Sequence, residues 1–171
     1  SGCGKTTVTC AVLQALVSRG LRVGAAKCGP DYIDPMFHSR IIGAKSSNLD
    51  AFFFDPDTLR YLLARNARGC DVTVIEGVMG YYDGLGLTST RASTYEAARE
   101  TESPVVLVVN ARGAALSVLA AAEGFLRFAP DSGIRGVILN GCSAMSYGPL
   151  ARELENRLGV RACGYLHRLP E

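Results

Sequence analysis

Residues 1–7 read SGCGKTT, and the reading of this stretch decides the fold. Gly4, Lys5 and Thr6 fill the last three places of the phosphate-loop pattern G-x-x-x-x-G-K-[ST], with Ser1 and Gly2 inside the loop. Glycine permits backbone angles and close approaches that a side chain would block, so successive N–H groups can point at phosphate oxygens. Lysine brings positive charge to the outer phosphates, the Thr6 hydroxyl ligates Mg²⁺, and the helix opening there adds its positive end. The pattern's first glycine and the strand that feeds it fall before Ser1. We therefore expect a chain that starts inside its own nucleotide site and lacks its first strand.

A glycine-rich turn beside a lysine is the bland alternative, and the residues downstream argue against it. Val8, Ala11, Val12, Leu13, Leu16 and Val17 recur at helical spacing from Thr6 to Ser18, and Arg19-Gly20 ends the pattern. LRVGAAKCG follows as a short apolar run of strand type. Loop, helix and strand stand in the order a phosphate loop needs. Further runs of the same kind are VTVIEGV, PVVLVVNA, GVILNG and RACGYL. Helical patterns lie between them at about Asp57–Arg68, Thr94–Thr101, Ala114–Phe128 and Tyr147–Leu158. Strands apolar on both faces and separated by helices predict a doubly wound, mostly parallel α/β sheet with right-handed crossovers.

The 171 residues suit one domain, 1–171, without internal repeats. A formal net charge of +2 gives no footprint for nucleic acid or a membrane surface, and no apolar run approaches membrane-spanning length. Six scattered cysteines without a C-x-x-C pair read as reduced thiols, so a cytoplasmic protein without a zinc site is expected.

In a parallel sheet, ligands bind beyond the carboxyl ends of the strands. Lys27, Glu76, Asn110 and Asn140 stand at four such ends and are expected to converge there, although Asn110 reads equally well as a turn former. KCGPDYIDPMFH, residues Lys27–His38, carries a glycine and two prolines and is expected to be a loop. Within it Asp31 and Asp34 serve either as Asx-turn formers or, with Lys27, as groups beside the phosphates. His38 reads as a surface or capping residue. In VIEGVMGYYDG, residues Val74–Gly84, Glu76 sits where phosphate-loop enzymes keep a second acidic group for Mg²⁺. Gly77, Gly80 and Gly84 let the backbone turn closely, presenting Asp83.

SGCGKTT, KCGPDYIDPMFH, SSNLDAFF and VIEGVMGYYDG, in this order, resemble the amino-terminal synthetase domain of the cobyrinate and hydrogenobyrinate a,c-diamide synthases. The chain resembles dethiobiotin synthetase more distantly, which implies the same fold and phosphate chemistry. The resemblance implies ATP- and glutamine-dependent amidation of the a and c acetates of a corrin through an acyl phosphate, in cobalamin biosynthesis. The ammonia would come from a glutaminase domain downstream of residue 171. It implies ATP and Mg²⁺ as cofactors, with Gly2, Gly4, Lys5, Thr6 and Thr7 on the nucleotide and Asn140 at the adenine edge. Lys5 and Lys27 would neutralise phosphate charge, and Thr6, Glu76 and Asp50 would hold Mg²⁺. Asp31, Asp34 and Asp83 would meet the corrin carboxylate or the phosphorylated intermediate. A homodimer is left open. Two departures from the family pattern are Asn110, where an aspartate is common, and the lack of an arginine after Asn140. Two alternatives are a sister amidase acting on nickel sirohydrochlorin towards coenzyme F430, and an ATPase switch of the ParA and MinD type.

Overall fold

The computed structural model describes residues 2–168; Ser1, which the sequence reading placed in the phosphate loop, and residues 169–171 lie outside them. Among the described residues there are six helices, one π-helical turn and six strands. They gather into two compact units, Lys5–Ser103, and Gly2–Gly4 with Pro104 onwards. Both units have parallel strands interleaved with helices, as the alternation of apolar runs predicts.

In the first unit the sheet order is β2-β1-β3, with β1 Val23–Cys28, β2 Lys45–Leu49 and β3 Val72–Glu76. Side chains alternate across a strand, so β1 and β3 each serve two faces. Val23, Ala25, Val72 and Val74 pack with Leu13, Leu16 and Val17 of α1 (Lys5–Ser18). Ala26 and Ile75 turn the other way, onto Leu59, Leu62 and Leu63 of α3 (Pro56–Ala67). The double covering explains why these strands read as continuous apolar runs. Asp55 caps α3 by accepting from the N–H groups of Asp57 and Thr58, and Pro56 occupies a first-turn place where no N–H is needed.

Two expectations are corrected here. Lys27–His38 is not all loop: it contains α2 (Ile33–Phe37), followed by a π-helical turn, His38–Ile42. Pro35 sits in the first turn of α2, where its missing N–H costs no helix bond, so it does not break the helix. β2 was not anticipated, because KSSNL is polar; it is an edge strand, and apolar runs mark only strands covered on both sides.

In the second unit the order is β4-β5-β6, with β4 Val105–Asn110, β5 Ile134–Asn140 and β6 Arg161–Leu166. Helices α5 (Ser117–Phe128) and α6 (Ala144–Leu158) bury Val118, Leu119, Ala122, Leu150 and Leu154, and strands β4 and β5 bury Leu107, Val109, Val137 and Leu139. The remaining helix, α4 (Thr94–Glu100), belongs to the first unit and is capped by Ser93. No helix among the described residues is long and apolar enough to cross a membrane.

Candidate functional site

In the first unit the register of β1 and β3 pairs Lys27 with Glu76 at the carboxyl ends of the two strands. Both side chains lie on the face that packs against α1, because positions 23, 25 and 27, and 72, 74 and 76, share a face. The amino end of α1, which carries Lys5 and Thr6, reaches the same place. Thr6 Oγ1 donates to Glu76 Oε1 at 2.5 Å, and Lys27 Nζ donates to the same oxygen at 2.8 Å. Lys27 also donates to Asp34 Oδ2 at 2.6 Å and lies 3.9 Å from Asp31 Oδ2. One buried ammonium thus ties the acidic loop, the β3 carboxylate and, through that carboxylate, the phosphate-loop hydroxyl.

The electrostatics follow from this geometry. Burial alone would pull the Lys27 ammonium down, but hydrogen bonds to Asp34 and Glu76 and their charges outweigh it, leaving its pKa above the ordinary lysine value. Burial likewise pushes Asp34 up, and the bond and charge of Lys27 override it, holding the carboxyl below the usual range. Cys10 on α1 senses the cluster too. Burial, then the charges of Glu76 and Asp34, raise its thiol despite the opposing effect of Lys27.

Neighbouring side chains hold the two loops. Asp31 Oδ1 accepts from the N–H groups of Ile33 and Asp34, the Asx-turn role, while its other oxygen faces Lys27. Asn48 of β2, which the sequence reading did not single out, donates to the carbonyls of Gly29 and Asp31 at 2.8 and 2.7 Å. After β3, Thr94 Oγ1 accepts from Val78 N–H and donates to its carbonyl. Met79 has φ 52°, and its carbonyl accepts Lys5 Nζ at 2.6 Å. Asp83 is exposed and accepts from Gly80 N–H at 2.8 Å, so it shapes this loop.

Asp50 is buried at the end of β2, where Oδ1 accepts from Phe52 N–H and the backbone carbonyl accepts from Phe53 and Phe54. Its side chain is engaged in that turn and not with Thr6 or Glu76. Among the described residues no three His, Cys, Asp or Glu side chains form a metal-holding group. Mg²⁺ keeps waters and phosphate oxygens and takes one or two protein oxygens, so Thr6 and Glu76 suit it without such a group.

His38 is the residue that the sequence reading misplaced. It is fully buried, not at the surface, and its Nε2 lies 3.4 Å from Glu76 Oε2. The π-helical turn faces His38 and Ile42 inward while Ser39, Arg40 and Ile41 stay exposed. Nothing in the local pattern signals this, since apolar Tyr32, Ile33, Met36 and Phe37 just before it are the ones left exposed.

In the second unit Asn140 Nδ2 donates to the Cys3 carbonyl at 2.9 Å. A Cβ on Gly4 would fall 2.2 Å from that nitrogen, so only glycine lets the asparagine brace the phosphate loop. Gly2 and Gly4 both have positive φ, 74° and 85°. Asn110 pairs with Asn140 in the ladder and accepts from Arg112 N–H, the turn-forming alternative. The four polar strand ends are thus seen as one pair within each sheet. Thr7 is exposed on α1.

Comparison with known proteins gives one consistent result. The family model described as CbiA, the CobQ/CobB/MinD/ParA nucleotide binding domain, matches residues 1–168. The chain is 44% identical over 168 residues to the hydrogenobyrinate a,c-diamide synthase of Streptomyces coelicolor, covering 98% of this chain and 35% of that protein. It is 44% identical to the cobyrinate a,c-diamide synthase of Listeria monocytogenes, over 97% of this chain and 37% of that protein. The corresponding protein of Thermoplasma acidophilum is 41% identical, over 98% of this chain and 38% of its own length. The chain thus spans little more than a third of these relatives. Among solved structures, chloroplast FtsY from Physcomitrella patens superposes with a TM-score of 0.71 at 16% identity, over 99% of this chain and 57% of that one. Signal recognition particle 54 kDa protein from Aeropyrum pernix, in complex with GDP, gives 0.65 at 19%, over 98% and 40%. These two likenesses are of fold alone.

Proposed function

The chain belongs to the CbiA family of nucleotide-binding domains, and from that premise we propose that residues 1–171 are the ATP-binding synthetase domain of a cobyrinate or hydrogenobyrinate a,c-diamide synthase. The reaction is ATP-dependent amidation of the a and c acetates of the corrin in cobalamin biosynthesis, in the cytoplasm. Ammonia is supplied from glutamine by a separate glutaminase domain. The observation that carries the reading is Lys27, held between Asp34 and Glu76 while Glu76 also takes the Thr6 hydroxyl. That constellation joins a phosphate loop to an acid-bearing substrate loop, which a carboxylate-activating enzyme needs. The relatives' names favour the corrin over nickel sirohydrochlorin, and an amidase over an ATPase switch.

A free carboxylate resists amines because its leaving group would be oxide. An oxygen of the substrate carboxylate attacks the terminal phosphorus of ATP as the bond to ADP breaks. Ammonia then attacks the acyl carbon, a proton is lost, and inorganic phosphate departs with its electron pair. Lys5 and Lys27 counter the charge that two anions bring together, in a site where such charges are worth more than in water. Backbone N–H groups around Gly2 and Gly4 and the amino end of α1, with Thr7, receive the phosphates. Thr6 Oγ1 and Glu76 would hold Mg²⁺, which when bound neutralises charge on the outer phosphates. Asp31 and Asp34 keep Lys27 in place and, with Asp83, line the approach of the substrate's acetate. To Asn140 we assign the bracing of the phosphate loop. Exposed Tyr32, Ile33, Met36 and Phe37 beside these acids offer an apolar surface suited to a wide macrocycle with carboxylates at its rim.

The test uses the full-length protein with ATP, Mg²⁺ and ammonium chloride, following phosphate release with cobyrinic acid, hydrogenobyrinic acid and nickel sirohydrochlorin in separate assays. Phosphate release matched by new amide with a cobyrinic ring is expected. Slow hydrolysis indifferent to every ring would refute the ligase.

A further inference from the structure

The proposed function leaves one buried group unused. His38 is 0% exposed and Glu76 1%, and neither His38 nitrogen nor Glu76 Oε2 has a hydrogen-bond partner among the described residues. Glu76 Oε1 accepts from Thr6 and Lys27. Oε2 faces His38 Nε2 at 3.4 Å, an approach just longer than a formed hydrogen bond. Rotation of a carboxylate about its last torsion is soft, so bonds to one oxygen do not by themselves fix the plane of the group. A donor on the far side does.

The backbone that delivers His38 is unusual in a way that bears on this role. α2 runs directly into the π-helical turn, which ends at Gly43 in the left-handed region, φ 84°. The His38 carbonyl accepts from Ala44 N–H at 2.9 Å, and Ile42 is anchored beside Leu13, Val23 and Ala25. π-turns inside helices are rare and gather at functional sites. Here the extra residue per turn brings His38 inward, together with Ile42, and leaves five large apolar side chains, Tyr32, Ile33, Met36, Phe37 and Ile41, exposed. A segment folded only for packing would bury those and expose the imidazole.

We propose that His38 is a positioning residue for Glu76: with its proton on Nε2 it holds Oε2, and so keeps Oε1 directed at Thr6 and the divalent cation. The inference rests on the assignment of Glu76 to the cation given above. Partners of this kind, behind the group that meets the metal, set cation affinity by about 10- to 100-fold when removed.

Three variants of the full-length protein separate this role from packing. His38→Gln places its amide donor where Nε2 was, His38→Asn where Nδ1 was, and His38→Phe keeps a ring without a donor. Mn²⁺ serves as the probe, titrated by electron paramagnetic resonance with a non-hydrolysable ATP analogue, and nucleotide binding in EDTA and the melting temperature are read alongside. His38→Phe and His38→Asn are expected to weaken Mn²⁺ by about tenfold or more, and His38→Gln to stay within about threefold of wild type. Nucleotide affinity in EDTA should be unchanged in all three. Equal weakening in all three, Asn matching Gln, or Phe matching wild type would overturn the positioning role. If His38→Phe does not fold, the Gln and Asn pair alone decides, since both are polar and differ in where the donor lies. A wild type whose nucleotide complex binds no Mn²⁺ would overturn the assignment of Glu76 itself, and the role of His38 with it.

Discussion

Replacing Lys27 by methionine keeps most of the stem's volume and removes the charge on which three acids converge. The acids differ sharply in what the loss does to them. The Glu76 side chain is 1% exposed and cannot recover solvation, whereas Asp34 and Asp31 are 18% and 34% exposed and can turn to water. Removing one partner of a buried ion pair costs about 3–5 kcal/mol, mostly because the other charge stays buried. For a chain of this size that lowers the melting temperature by roughly 6–20 °C. Because the cost lies at Glu76, adding Glu76→Gln to Lys27→Met should restore most of it, and adding Asp34→Asn should restore little. Urea unfolding followed by circular dichroism across this double-mutant cycle measures both terms. A Lys27→Met cost below about 1 kcal/mol, or equal relief by Asn at 34 and Gln at 76, would refute the view that one buried lysine holds the site together.

Gly4→Ala should abolish nucleotide binding in an equilibrium titration. Its Cβ would meet Asn140 Nδ2 at 2.2 Å, and φ of 85° adds about 1–2 kcal/mol of strain; Asn140→Ala in the same chain should remove the clash but leave the strain. The pH dependence of stability has a defined sign at each end. Asp34 has its pKa depressed, so its contribution is full above the ordinary aspartate value of about 3.9 and is lost as pH falls through the folded value below it. Lys27 has its pKa raised, so its contribution is full below about 10.4 and is lost as pH rises through the folded value above it. The stability difference between wild type and Asp34→Asn should therefore be flat from about pH 5 to 10 in chemical unfolding, and a slope within that window would contradict the pairing. Thiol labelling at pH 8 should find Cys163, which is exposed, reacting first, while Cys28, buried and pushed up to about 12, stays silent until the chain unfolds.

Much of the molecule is legible because its signals are local. The spacing of Val8 to Val17 yields α1, and the short apolar runs yield β1, β3, β4, β5 and β6. Lys27 and Glu76 were legible as strand-end residues on the ligand-binding edge, because the strands of a parallel sheet share a carboxyl edge. β2 was not, because an edge strand can be polar. α2 was hidden behind Pro35, which reads as a breaker everywhere except in a first turn.

By itself, the sequence determined the phosphate loop, the α/β alternation and the residue types at the strand ends, all of which depend on neighbours a few positions apart. Only the tertiary structure decided that Lys27 bonds Glu76 and Asp34 at once, that Asn140 donates to the Cys3 carbonyl, and that His38 is buried against Glu76. Those contacts join residues 7, 38, 49 and 137 positions apart in the chain. Their partners are chosen by sheet register and by a π-helical turn, and neither leaves a periodic trace in composition or spacing.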